Sequence, residues 1–307
     1  SDWSRWEADE TLPRSHDGSG FGVDFATDLA LLAEHGLTTL RWTLDWSRVE
    51  PTPGRWDGEA VDLVTEVLRA ARRAGVDVWA VLHDGPLPGW FADDQRGFAD
   101  PEGLSRTWPR HVDRVAETFG DDVAGWVPVL DPFTLASDGL RHGRRPPGQR
   151  DEGAFLDGLE HLHRAGFEAW RLLRSGEPPV AACLDVAPVH AGTRTRHPSE
   201  REVAEAEAVR LDRLRWGVGT RALVEGLISI PDKGEVEVPG LAGAYDVVGF
   251  TYRGAVTVYA DGTTGPYPAD AVVAADGHAP WTEGLGVTLR RLADEVPGKP
   301  LAVLGTG

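Results

Sequence analysis

The 307-residue sequence contains no methionine, no asparagine, one cysteine (Cys183) and two lysines (Lys233 and Lys299). A single cysteine excludes a disulfide framework. No apolar run approaches the ~18 residues of a membrane-spanning helix, and no secretory leader is visible. These absences predict a cytoplasmic protein with no membrane partner. The missing methionine predicts that Ser1 is not the translated start. Basic charge is also scarce: 31 Lys and Arg stand against 49 Asp and Glu, a net charge of −18. That balance argues against nucleic acid and other polyanionic partners. What the chain has in quantity is apolar residues, 41%, and twelve tryptophans. They suffice for one barrel-sized core.

Short apolar runs alternate with amphipathic ones. The spacing predicts helices over 21–35, 57–74, 105–119, 151–174, 199–225 and 281–295. It predicts strands over 38–44, 76–82, 123–130, 179–186, 246–252 and 301–304. Runs such as Val78-Trp79-Ala80-Val81-Leu82 are apolar on both faces, as in a buried parallel sheet. Six strands linked by helices give an α/β chain of the TIM (β/α)8 type, six of its eight strands recognisable. The expectation is one domain over 1–307, incomplete at both ends, lacking the first and last strands. The connections 186–200 and 255–280 are long, as functional loops of barrels often are.

In parallel barrels the chemistry sits at the C-terminal ends of the strands. Those ends carry Asp45 and Trp46, His83 and Asp84, Asp131, Asp185, and Tyr252 and Arg253. Four of five carry a carboxylate, although aspartate also serves there as a helix cap or turn residue. Arg41 lies inside a strand, where a guanidinium is costly unless paired, so it is expected to face an anionic group. Trp46, Trp90, Trp126 and Trp281 are sugar-stacking candidates, but strand and helix aromatics are more often core, and only for Trp46 do the two readings weigh about equally. His163, His190 and His197 have no metal-ligand spacing.

The run from Leu40 to Pro51, LRWTLDWSRVEP, resembles the second barrel strand of family 1 glycoside hydrolases, the β-glucosidase family, whose pattern is Arg-Phe-Ser-Ile-x-Trp-x-Arg-Ile-x-Pro. The resemblance extends along nearly the whole chain. It aligns His83 with a histidine that touches sugar hydroxyls. It aligns Trp126-Val127-Pro128-Val129-Leu130-Asp131-Pro132 with the segment ending in Asn-Glu-Pro, whose glutamate is the acid/base. Leu130 then replaces the asparagine and Asp131 the glutamate. Tyr252 and Arg253 fall at the family's Asn-Tyr-Tyr. Gly305 falls on or beside the nucleophilic glutamate of Glu-Asn-Gly. The resemblance implies a small-molecule glycoside or sugar ligand, with no cofactor and no metal. Substrate-binding positions would be Arg41, Asp45, Trp46, His83, Asp84, Leu130, Asp185, Tyr252 and Arg253. Arg41 would pair with the nucleophile, so its loss leaves Asp131 or Asp45 as the partner.

Retaining hydrolysis needs two carboxyl groups about 5–5.5 Å apart. Shortening Glu to Asp withdraws one by roughly one bond length, and a ~1 Å displacement can cost ~100-fold in rate. Loss of the nucleophile removes the covalent intermediate. The expectation is a β-glycosidase-like barrel with a degenerate catalytic pair and weak or lost activity. The alternatives are a barrel repurposed for acid–base or divalent-metal chemistry through Asp45, His83, Asp84, Asp131 and Asp185, and a non-catalytic sugar-binding protein.

Overall fold

The computed structural model describes residues 1–8, 18–195, 197–274 and 277–306. The chain forms two compact units, Ser1–Ala182 and Cys183–Gly307.

In the first unit the elements run α1 (Asp2–Ala8), α2 (Phe21–Glu34), β1 (Thr39–Thr43), α3 (Trp46–Val49), α4 (Gly58–Ala74), β2 (Asp77–Val81), α5 (Trp108–Phe119), β3 (Gly125–Val127), α6 (Pro132–Ala136) and α7 (Glu152–Leu173). The helices begin and end where side-chain chemistry dictates. Asp57 caps α4 by accepting from the Ala60 N–H, Arg72 and Arg73 lie in its last turn, and Gly75 leaves it in a left-handed conformation. Val64, Val67, Leu68 and Ala71 form its buried stripe. Asp151 caps α7 in the same way through the Ala154 N–H.

The strands make a parallel sheet in the order β1-β2-β3, with Arg41 opposite Trp79 and Trp79 opposite Gly125. A Cβ on Gly125 would lie 2.6 Å from the Trp79 ring, so glycine there lets the indole lie against the neighbouring backbone. β3 is shorter than the expected 123–130. Pro128 has no N–H for the ladder, and the Leu130 N–H turns away to the His83 carbonyl.

Beside α3 lies an aromatic cluster. Trp46 packs edge-on to Trp90, stacks on His111 at 4.1 Å, and touches Phe91 and Trp108. Glu50, only 1% exposed, sits among them. Its carboxylate accepts the Trp46 indole N–H at 2.8 Å and the Gly54 N–H at 2.7 Å. Burial works to raise the Glu50 pKa, but His111 and these donors outweigh it and hold the carboxyl below its ordinary value. At His111 burial outweighs Glu50, and its pKa is lowered. The buried pair therefore stands as a carboxylate beside a neutral imidazole.

The second unit contains β4 (Ala181–Asp185, its last three residues), β5 (Val189–Ala191), α8 (Pro198–Asp212), α9 (Val218–Glu225), β6 (Leu227–Ile230), β7 (Gly234–Glu237), β8 (Val247–Tyr252), β9 (Val256–Val258), β10 (Thr264–Pro266), α10 (Thr282–Glu295) and β11 (Leu301–Thr306). Its main sheet has the order β11-β8-β4. The regions expected as long loops contain a second sheet, β10-β9-β5. Three-residue strands carry too little alternation to register as strands. The β6–β7 hairpin was also absent from the sequence expectation. Its turn uses positive φ at Asp232 (68°) and Gly234 (118°).

Candidate active site

In the first unit, backbone bonds stitch the strand ends into one rim. The Leu44 N–H donates to the Val81 carbonyl, Leu82 to Val127, and Leu130 to His83. The rim thus carries Asp45, then His83 and Asp84, then Leu130 and Asp131.

The three aspartates meet different fates. Asp45 is the N-cap of α3. Its side chain accepts from the Ser47 N–H at 2.9 Å and the Ser47 hydroxyl at 2.6 Å, and Arg48 lies 3.3 Å away. The cap and Arg48 thus engage both of its carboxylate oxygens. Asp84 accepts the Thr43 hydroxyl at 2.6 Å, joining the ends of β1 and β2. Asp131 is 5% exposed and adopts a left-handed backbone with φ 48°. It precedes α6, yet its side chain makes no capping bond to that helix. Its carboxyl is therefore not spent on the helix end, as that of Asp45 is.

Two expectations for this rim need correction. Arg41 is exposed, not buried in its strand. Among the described residues β1 pairs with β2 alone, so no strand covers its other edge. Trp46 is 1% exposed, with its indole N–H bonded to Glu50. It is a core residue with no free face for a sugar. Trp90 and Trp126 are likewise buried.

His83 is 5% exposed, its ring 5.2 Å from that of Phe98, which also packs on Trp108. Its Nδ1 is buried without a hydrogen-bond partner. Burial, and then the Arg145 guanidinium, pushes its pKa down to about 3, so the ring is neutral. Leu130 is 7% exposed and presents an apolar side chain.

In the second unit, Asp185 is 2% exposed and held by Arg215, whose Nη2 lies 2.8 Å from its carboxylate and whose Nε donates to its carbonyl at 3.3 Å. The Trp216 indole N–H donates to the Ala187 carbonyl. Together they fasten the segment between α8 and α9 to the end of β4. Asp185 is therefore half of a buried ion pair, contrary to its expected place among ligand groups. Tyr252 is 4% exposed and its hydroxyl donates to the Trp281 carbonyl at 2.7 Å. Burial, and then Glu283, raises its pKa. Arg253 is half-buried. Gly305 stands opposite Thr251, just past a register shift in β11 at Val303. Cys183 is buried within β4.

Three residues absent from the expected set matter here: Thr43, Glu50 and Arg145. Arg145 lies in the run Arg141-His142-Gly143-Arg144-Arg145, a basic concentration in an acidic chain. That contrast was the available signal. Thr43 and Glu50 gave none, because their roles depend on partners distant in sequence.

The chain is similar to known proteins of one family. The Glycosyl hydrolase family 1 model matches residues 18–220. The chain is 28% identical over 146 residues to Beta-glucosidase 21 of Oryza sativa subsp. japonica, an alignment covering 47% of this chain and 28% of that protein. It is 26% identical over 148 residues to Beta-glucosidase A of Thermotoga maritima, covering 48% of this chain and 33% of that one. The chain thus aligns with about a third or less of the length of these relatives. Among solved structures, a β-glucosidase from Thermotoga maritima in complex with glucoimidazole superposes with a TM-score of 0.79 at 17% identity, covering 94% of this chain and 67% of that one. The same enzyme with deoxynojirimycin gives 0.81. The fold is therefore that of an α/β barrel. With the family model matching well over half of its residues, the chain belongs to glycosyl hydrolase family 1.

Proposed function

We propose that residues 1–307 form a single glycoside-hydrolase-like domain that binds a small glycoside or sugar and hydrolyses it weakly or not at all. The observation that carries this reading is the pair of residues to which the family resemblance assigns the catalytic positions, Asp131 for the acid/base and, on or beside the nucleophile, Gly305. One has a shortened carboxyl and the other has no side chain. Without a nucleophile a retaining mechanism cannot form its glycosyl-enzyme, and Asp131 alone could only assist departure of the leaving group. Leu130 adds to the loss, because an apolar side chain cannot accept or donate to a sugar hydroxyl. In this reading β1, β2, β3, β4, β8 and β11 are six of a barrel's eight strands, and the protein is cytoplasmic.

The metal-dependent alternative is weaker. Among the described residues no three His, Cys, Asp or Glu side chains converge to hold an ion. Asp45 and Asp185 are engaged in a cap and an ion pair.

The test is incubation with aryl β-glycosides, comparing the unaltered chain with Asp131→Glu and Asp131→Asn. The expected result is little or no aglycone release, with any residual rate lowered by Asp131→Asn. Rapid turnover that survives Asp131→Asn overturns the assignment.

A further inference from the structure

Helix α1 reaches the rim loops of the first unit from a distant part of the chain. The Asp2 N–H donates to the Leu87 carbonyl at 3.0 Å, and the Leu87 N–H donates back to the Asp2 carboxylate at 2.9 Å. Leu87 lies four residues past His83, on the loop that leaves β2. Further along that loop Arg5 of α1 pairs with Asp93. A Cβ on Gly89 would lie 2.9 Å from the Arg5 Nη2, so glycine leaves room for that guanidinium. A second seat is on the loop between α6 and α7. There a Cβ on Gly148 would run into the Trp6 ring, and Gly148 has φ 76°. The Gly148 N–H donates to the Arg145 carbonyl at 2.8 Å. The Arg145 guanidinium in turn reaches Gly85, whose Cβ would stand 3.5 Å from it. The two loops therefore meet two residues past His83, and α1 is fastened to both.

The hold of α1 is slight. It spans seven residues, none of them buried, and a helix that short is not stable by itself. Its ion pair is solvent-exposed, at 60% for Arg5 and 43% for Asp93, and such pairs contribute little. The rim groups are the opposite: His83, Leu130 and Asp131 are 5%, 7% and 5% exposed. Groups so covered meet a ligand only after something moves. The weakly held element seated on both loops is the part that moves at least cost. We propose that α1 is a strap that closes the strand-end rim of the first unit and lifts to admit a ligand. The inference goes beyond the sugar-binding reading, because the strap controls access to His83 whatever the ligand is.

The test uses no sugar. Diethyl pyrocarbonate acylates neutral imidazole, the form of His83 near neutral pH, and peptide mass spectrometry reads each histidine separately. Asp2→Ala and Trp6→Ala are each expected to speed modification of His83 by about tenfold or more. His111, buried in the aromatic cluster, should be unchanged and so reports that the unit stays folded. His197, exposed in every variant, calibrates the reagent. In the unaltered chain the Leu87 amide should exchange with deuterium about tenfold or more faster than those of Leu82 and Leu130, which bond across the rim. That comparison requires no variant to fold. Unchanged reactivity of His83 in both variants overturns the inference. So does a parallel rise at His111, which would make α1 a clamp for the whole unit, and so does exchange at Leu87 as slow as at Leu82 and Leu130. Each of these outcomes leaves the sugar site standing, and failure of sugars to bind leaves the strap untouched.

Discussion

Acid should destabilise this protein through His83, by an amount that follows from its burial. In the folded chain its imidazole titrates at about 3, because burial and then Arg145 disfavour the cation. In the unfolded chain it titrates near its ordinary value of about 6.5. Between these values the unfolded chain binds a proton that the folded chain does not, so stability rises with pH. The contribution is whole above about pH 6.5 and shrinks as pH falls toward 3. At pH 5 the loss is about 1.5 pH units at ~1.36 kcal/mol each, or about 2 kcal/mol. His83→Leu fills the site with an apolar group that cannot take the proton. Urea unfolding of both proteins at pH 7.5 and 5.0, followed by tryptophan fluorescence, measures the difference. The unaltered chain should lose about 2 kcal/mol more than the variant over that interval. His111 and His163, which are also lowered, remain in both proteins and cancel. Equal losses, or a His83 resonance titrating near 6.5 in the folded protein, would refute the reasoning.

Asp45→Ala should cost about 1 kcal/mol of stability by removing the α3 cap, and should leave sugar binding by calorimetry unchanged. Arg215→Ala should cost about 2 kcal/mol or more in urea unfolding, because it removes a charge-assisted hydrogen bond to the buried Asp185 carboxylate. Glu50→Ala should cost about 2 kcal/mol or more by orphaning the Trp46 indole and Gly54 donors, read as a lowered melting temperature. Gly305→Glu should introduce slow release of aglycone from an aryl β-glycoside, and adding Asp131→Glu should raise that rate by up to about 100-fold. No gain from either substitution would place the defect elsewhere.

The elements whose signals are local were legible in the sequence. Helices α4 and α7 carry their own caps and apolar stripes, and β2 carries a run apolar on both faces. Signals that depend on distant partners were not legible. Arg41 was expected to be buried because a strand interior usually is, but its exposure depends on what pairs with the other edge of β1. Trp46 follows a strand end in sequence, yet its indole turns into the core toward Glu50 and His111. The β10-β9-β5 sheet joins segments that each hold three residues, and no local period records such a pairing. His83, which the family resemblance singles out, packs on Phe98, while its neighbour Asp84 meets Thr43 at the rim. A single step along the chain decided which of the two reaches that partner.

Asp45 and Asp131 show most clearly what such a sequence withholds. Both are aspartates directly before a short helix at a strand end, and the cap explanation applies to each equally on paper. The backbone separates them. Asp45 has φ −68° and ψ 99°, the extended geometry from which a side chain folds back onto the first turn, and its carboxylate does so. Asp131 has φ 48° and ψ 57°, and from that left-handed position its side chain makes no bond to the helix it precedes. A non-glycine residue held in that conformation is unfavourable unless the surroundings impose it. The Leu130 N–H bond to His83 on one side and Pro132, opening α6, on the other fix the chain there. The fold thus gives the Asp131 carboxyl no capping role, at the position we propose for the acid/base. The discriminating observation is a pair of stability measurements: if Asp131→Ala costs as much as Asp45→Ala, Asp131 is structural after all, and its claim to the site falls.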